Sequence, residues 1–191
     1  MGNVEGAYIS YNKNGDTLKY QEFHENLPNG IKKEYFADSK VKKTSNYQMG
    51  LLHGYQKRFD ENGNILLSIS YFEGKKHDKW IYYFDNQKIA RIEEWDKGVK
   101  EGTFITYNAS ELTISEKYFK KGIPTGIHKE YYTDGREKHV KIYAKKGVVE
   151  EEYAFDDFGV KTVMKIKETK EMRKRKKKRD KENTGNGGLL N

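Results

Sequence analysis

The chain of 191 residues contains no cysteine. That excludes disulfides, thiolate nucleophiles and Cys-ligated zinc or iron–sulfur sites, and it fits a reducing compartment. Long apolar runs are missing too, and none approaches the ~20 residues of a membrane-spanning helix. The first residues, MGNVEGAYISYNKNGD, have neither an apolar core nor a basic leader, so no signal peptide is read there. Gly6 stands where a myristoylation signal needs Ser or Thr. A soluble, cytoplasmic protein with no transmembrane segment is the expectation. There is also no nucleophile elbow, P-loop or dinucleotide fingerprint. The sequence therefore assigns no catalytic residue, cofactor or metal, and an enzyme is not expected.

What is present is polar and aromatic. Hydrophobic and charged residues each make up 35%, and aromatics reach 14%, with 15 Tyr. A compact domain is normally more apolar, while a disordered chain is poor in rings. The mixture suits a thin, surface-rich fold in which large rings supply most of the burial. The net charge of +8 is unevenly placed. Residues 165–191 hold 11 Lys+Arg and 4 Asp+Glu, so they carry nearly all of it. The body is close to neutral, and whole-chain charge does not argue for nucleic acid.

A 24-residue period dominates the chain. Steps of 24 from Gly6 give Gly30, Gly54, Asp78, Gly102, Gly126 and Glu150. Five places after each stands a ring: Tyr11, Tyr35, Phe59, Tyr83, Tyr107, Tyr131 and Phe155. Nine places after come Gly15, Ser39, Gly63, Gln87, Glu111, Gly135 and Gly159. Seventeen places after, rings return at Phe23, Tyr47, Tyr71, Trp95, Phe119 and Tyr143, with Lys167 last. Such self-similarity marks a repeat architecture. Within a unit, β-prone runs such as YQKRF and NILLSISY flank Asn-Gly or Asp-Gly, dipeptides that close tight hairpins. Gly-bounded links such as EGKKHD join one unit to the next. The reading is all-β: an elongated antiparallel meander of about seven hairpin units over residues 1–167, with roughly 14 strands. Units with Ser39, Gln87 or Glu111 at the turn glycine are expected to use another turn type or a distorted hairpin.

Side chains alternate faces along a strand. Positions 1, 3 and 5 of each first strand share a face, which is expected to carry a ladder of position-5 rings in stacking reach. The opposite face is variable. On it fall Trp80, Tyr82, Phe84 and Phe104, at positions 2, 4 and 6 of adjacent first strands. Several exposed rings on one patch would make a protein-binding hot spot, so these four are the candidate partner-binding residues.

The pattern Gly-x-x-x-x-Tyr, an Asn-Gly turn, and a second strand ending in an aromatic and x-x-Gly-x-x-x-Gly resembles the MORN-type repeat. GYQKRFDENGNILLSISYFEGKKHD and KGIPTGIHKEYYTDG carry the resemblance most closely. It is closer still to the bacterial variant in YwqK-family antitoxins, over about residues 6–167. His53-Gly54 keeps that family's His-Gly junction, while His77-Asp78, Glu101-Gly102 and Thr125-Gly126 vary. The resemblance implies an open β-meander and a non-enzymatic binding role, with a toxin as partner.

Other clusters read as structural. His53 and His77 stand at the same place in consecutive units, ~10 Å apart by strand spacing, too far to share a metal. Adjacent acids such as Glu93-Glu94 point to opposite faces and make no catalytic pair. In the tail, residues 168–191, every residue from Arg173 through Lys174, Arg175, Lys176, Lys177 and Lys178 to Arg179 is basic. This segment is read as helical or disordered, and as a candidate handle for nucleic acid or another polyanion. The leading function is therefore an antitoxin or immunity factor that occludes a toxin. The alternative is a structural scaffold tethered to a polyanion by its basic tail.

Overall fold

The computed structural model describes residues 2–164, together with 173–174 and 177–178. Most of the tail, and Lys167, lie outside the described residues. Among the described residues fourteen strands follow in chain order: β1 (Gly6–Tyr11), β2 (Thr17–His24), β3 (Leu27–Tyr35), β4 (Val41–Gln48), β5 (Leu51–Phe59), β6 (Ile65–Phe72), β7 (Lys75–Tyr83), β8 (Ile89–Asp96), β9 (Val99–Tyr107), β10 (Thr113–Lys120), β11 (Ile123–Tyr131), β12 (Glu137–Tyr143), β13 (Val149–Phe155) and β14 (Lys161–Val163). Each pairs antiparallel with its sequence neighbours alone, so they form one open all-β meander of hairpins, two strands to a unit.

The two kinds of turn are distributed differently from the sequence expectation. The tightest turns are the links between units. Met49-Gly50, Glu73-Gly74, Lys97-Gly98 and Lys121-Gly122 all have positive φ at both residues. That is the two-residue type I′ hairpin, whose twist matches that of the strands it joins. The Asn-Gly turns are one residue longer. The Asn12 N–H donates to the Asp16 carbonyl at 2.8 Å, and the Gly15 N–H to the Asn12 carbonyl at 3.1 Å. Of the three loop residues Gly15 alone is left-handed, so a type I turn is followed by a left-handed residue.

Ser39, Gln87 and Glu111 keep this same turn, which corrects the expected change of turn type. They hold φ of 65°, 64° and 66°. Their N–H groups donate to Phe36, Phe84 and Asn108, as Gly15 does to Asn12. The surrounding ladder fixes the loop, and the side chain bears the left-handed strain.

A second glycine requirement sits where each first strand meets the preceding unit. There the first strand bulges, between Gln21/Phe23 and their partners Lys32/Pro28 for example. Gly30 and Gly102 lie in such bulges with φ of 105° and 78°. A Cβ at either would run into the Glu22 or Glu94 carboxylate. Those carboxylates accept the N–H of Ile31 and Thr103, each at 2.7 Å. Asp78 takes the glycine's place opposite the short Ser70. At Glu150 no left-handed residue is needed. The preceding link is one residue longer, through Lys145–Gly147, and the bulge correspondingly shorter.

The sheet is one layer, so burial is sparse. Among the described residues the buried hydrophobics are Ile69, Trp80 and Val140. Gln21, Ser45, Gln56, Ser70 and His128 are buried polar groups along the middle of the ribbon.

Candidate protein-binding face

Strand register decides which rings meet. Trp80 lies opposite Ile69 on one side and Glu93 on the other, and Phe104 lies opposite Glu93 and Lys117. The bulges bring position 2 of each first strand beside position 17 of the strands flanking it. The result is a continuous row: Tyr71, Trp80, Trp95, Phe104, Phe119, His128 and Tyr143. Successive centroids are 4.5 to 6.2 Å apart and the planes are steeply inclined. Three of these contacts, Tyr71–Trp80, Trp95–Phe104 and Phe104–Phe119, have the edge-to-face arrangement that ring quadrupoles favour, and the other three are tilted.

The ladder therefore runs on the face expected to be variable, and not along the position-5 rings. The reason is spacing. Position-5 rings occur on alternate strands, about 10 Å apart, and face Thr17, Val41, Ile65, Ile89, Thr113 or Glu137 in between. Position-2 and position-17 rings sit on adjacent strands and touch.

The four candidate partner-binding residues separate into two pairs. Trp80 is only 7% exposed, and its indole N–H donates to the Ser70 carbonyl at 2.8 Å. Phe104 packs between Trp95 and Phe119. Both belong to the ladder. Tyr82 and Phe84 do not. They line an apolar groove of about 550 Å³ with Ala90, Arg91, Thr106, Tyr107 and Ile114. The Arg91 guanidinium stacks 4.0 Å over the Tyr82 ring, and its Nε lies 3.2 Å from the Glu93 carboxylate. Arg91 and the groove walls were not singled out by sequence. A signal was present: position 6 alternates Asn12, Phe36, Asp60, Phe84, Asn108, Tyr132, Asp156. Asn and Asp there cap their own turn, as Asp60 does for the N–H groups of Asn62 and Asn64. The rings have no such task.

Two lysines stand over the ladder. The Lys76 ammonium is 4.1 Å from the Trp80 centroid and 4.2 Å from that of Trp95. Lys100 spans Trp95, Phe104 and Phe119 at 6.0, 5.2 and 4.8 Å. Beside Lys100, a polar hollow of about 430 Å³ holds Lys117, His128, Glu130, His139 and Lys141. Lys117 pairs with Glu130 at 3.0 Å, Lys141 with Glu152 at 3.2 Å, and His139 Nε2 with Glu152 at 2.9 Å. The Lys117 ammonium holds the Glu130 carboxyl below its usual range. Burial pushes His128 downward, with its Nε2 within 3.0 Å of the Tyr118 backbone N–H. The Glu116 carboxylate accepts the Tyr118 hydroxyl and pushes that phenol up to about 12.

His53 and His77 both pack on Phe72, with centroids at 5.1 and 5.5 Å, so a ring separates them. Of the basic run, Arg173, Lys174, Lys177 and Lys178 have helical backbone and exposed side chains. Arg175, Lys176 and Arg179 lie outside the described residues. Among the described residues no helix is long and apolar enough to cross a membrane. No family model and no curated protein matches the chain.

Proposed function

We propose that this chain works by binding another protein and performs no chemistry on it. The reading is an antitoxin- or immunity-type factor of the cytoplasm that covers a partner toxin and blocks it sterically. The observation that carries it is the apolar groove at Tyr82 and Phe84. It is open, walled by rings and aliphatic groups, and flanked by one oriented guanidinium. Aromatic and Arg side chains around a desolvated pocket are the composition of interface hot spots. The MORN-like pattern of the units supports the same reading.

The test is a nuclease-treated pull-down from the native host with three full-length baits: the natural chain, Phe84→Asp, and a chain with residues 173–179 changed to Ser. One stoichiometric protein should be held by the first and third and lost by the second. Expressed alone it should arrest growth, and co-expression of the natural chain should relieve the arrest. Retention by Phe84→Asp, with loss from the Ser-substituted tail, would overturn the reading in favour of a polyanion-tethered scaffold.

A further inference from the structure

We propose that the Lys76–Lys100 stretch of the aromatic ladder binds an extended acidic segment of the partner polypeptide, with carboxylates three residues apart. The inference rests on the reading of a protein partner and supplies the chemistry of one part of it.

Charge is the first argument. Lys117 and Lys141 on this face are each paired with a carboxylate, as is Arg91. Among the described residues Lys76 and Lys100 have no carboxylate within ion-pair distance. Their heads are held over rings instead. A ring face orients an ammonium while leaving its outer N–H groups to be satisfied. Two ammoniums are thus fixed in place without a carboxylate of their own, since the acid within the row, Glu93, is engaged by Arg91 and by the Trp95 indole N–H at 3.1 Å.

Spacing is the second. Both lysines approach Trp95, at 4.2 and 6.0 Å from its centroid, which puts them no more than about 10 Å apart, one repeat along the sheet. An extended peptide in the polyproline II form rises ~3.1 Å per residue with three residues per turn. Residues i and i+3 of it therefore lie on one side, ~9 Å apart. A Glu-x-x-Glu segment presents carboxylates at about the one-repeat offset of β7 and β9, the strands that carry the two lysines. Ring-lined grooves on sheets are suited to this preformed conformation, because little chain entropy is lost on binding.

Ring geometry selects a peptide over single-stranded nucleic acid. A stacking platform needs free ring faces for bases. Here Trp95, Phe104 and Phe119 turn edges toward each other's faces, at 68° and 70°. The lysines lie over faces of these same rings. The ladder offers oriented charge and ring edges.

The experiment uses the full chain and two labelled 15-residue peptides, (Glu-Pro-Pro)5 and (Gln-Pro-Pro)5. Anisotropy gives affinity, and intrinsic fluorescence gives location, because the two tryptophans of the chain, Trp80 and Trp95, are both in the ladder. The Glu peptide should bind at least about tenfold tighter than the Gln peptide, the worth of one charge-assisted hydrogen bond. It should shift tryptophan emission and weaken as salt rises. Lys76→Met and Lys100→Met, which keep an apolar stem, should each cost about tenfold, while Lys13→Met, in an exposed turn, leaves binding unchanged. Equal affinity for both peptides, no binding of either, binding that leaves tryptophan emission or the lysine variants unaffected, or tighter lysine-dependent binding of oligothymidylate would each overturn the proposal. A pull-down partner retained by Lys100→Met but lost by Phe84→Asp would sink this inference while leaving the protein-binding reading intact.

Discussion

Replacing Ser39 by Gly should stabilise the protein. Ser39 holds φ of 65° at the place where Gly15, Gly63, Gly135 and Gly159 stand in other units. An L-residue in that region costs roughly 1–2 kcal/mol. Glycine avoids the strain but loses about 0.4–1 kcal/mol more entropy on folding. The net gain is about 0.5–1 kcal/mol. Nothing offsets it, because no bond of the turn uses the Ser39 side chain: the Ser39 N–H donates to the Phe36 carbonyl, the Phe36 N–H to the Lys40 carbonyl, and the Lys40 N–H to Asp38 Oδ1. The equivalent changes at Gln87 and Glu111 should gain less. Gln87 Oε1 accepts the Ile65 N–H at 3.0 Å and ties two turns together. Glu111 pairs with Lys88 in an exposed ion pair, a weaker contribution.

The assay is urea unfolding followed by tryptophan emission. With a slope of about 2 kcal/mol per molar, Ser39→Gly should raise the midpoint by roughly 0.3–0.5 M. Gly63→Ser, the reverse change where φ is 87°, should lower it by a similar amount. The order of gain should be Ser39→Gly, then Glu111→Gly, then Gln87→Gly. A Ser39→Gly midpoint at or below that of the natural chain, or a neutral Gly63→Ser, would refute the idea that these loops share one strained conformation.

Other expectations follow from the same geometry. Trp80→Ala removes a buried ring that contacts Tyr71 and Trp95 and donates to Ser70, so it should cost about 3–5 kcal/mol in the same assay. Gly102→Ala should destabilise by about 1–3 kcal/mol, and less in a Glu94→Ala background, where the clashing carboxylate is gone. Burial holds His128 below its usual 6.5, so the unfolded chain takes up a proton there more readily than the fold. The stability it supplies is present above pH 6.5 and drains as pH falls through the folded value; His128→Gln should flatten that slope in unfolding midpoints from pH 7.5 to 5. Tyr118 is raised from 10 to about 12 by the Glu116 carboxylate, so its contribution is whole below pH 10 and lost as pH climbs toward 12. Glu116→Gln should move one phenolate step back toward 10 in an absorbance titration.

The strand count and order could be read from sequence because they depend on a period. Glycines recur where φ must be positive, and β-prone runs fill the space between them. The ring ladder could not be read the same way. Alternation along one strand predicts faces correctly, and it placed Trp80 and Phe104 opposite the position-5 rings. Contacts across strands depend on register, and register here turns on bulges at Gly30, Gly54, Asp78, Gly102 and Gly126, each of which shifts the pairing. A bulge leaves no mark on hydrophobic period. Lys76 and Lys100 were invisible for that reason, since their meaning comes from the rings beside them. The turn conformation at Ser39, Gln87 and Glu111 departs from their propensity because propensity describes what a residue prefers, and the ladder on both sides imposes something else.

A one-layer sheet has no hidden interior, so the residues that hold its strands together share a surface with those that meet a partner. The division between them falls along repeat positions. Rings at positions 2 and 17 satisfy one another, and from Tyr71 to Tyr143 they leave no break. Changing one of them alters stability first and recognition second. Tyr82 at position 4 and the ring at position 6, where no Asn or Asp caps the turn, carry no such obligation. Tyr82 is met by Arg91, and Phe84 borders a groove whose far wall belongs to the next unit. Substitution there leaves the ladder standing. Recognition can therefore diverge at Tyr82 and at the position-6 rings while the fold is kept by the rings of positions 2 and 17 and by the capping Asn and Asp of the other units. Lys76 and Lys100 join the two roles, with stems and heads packed on the structural rings and charge directed outward.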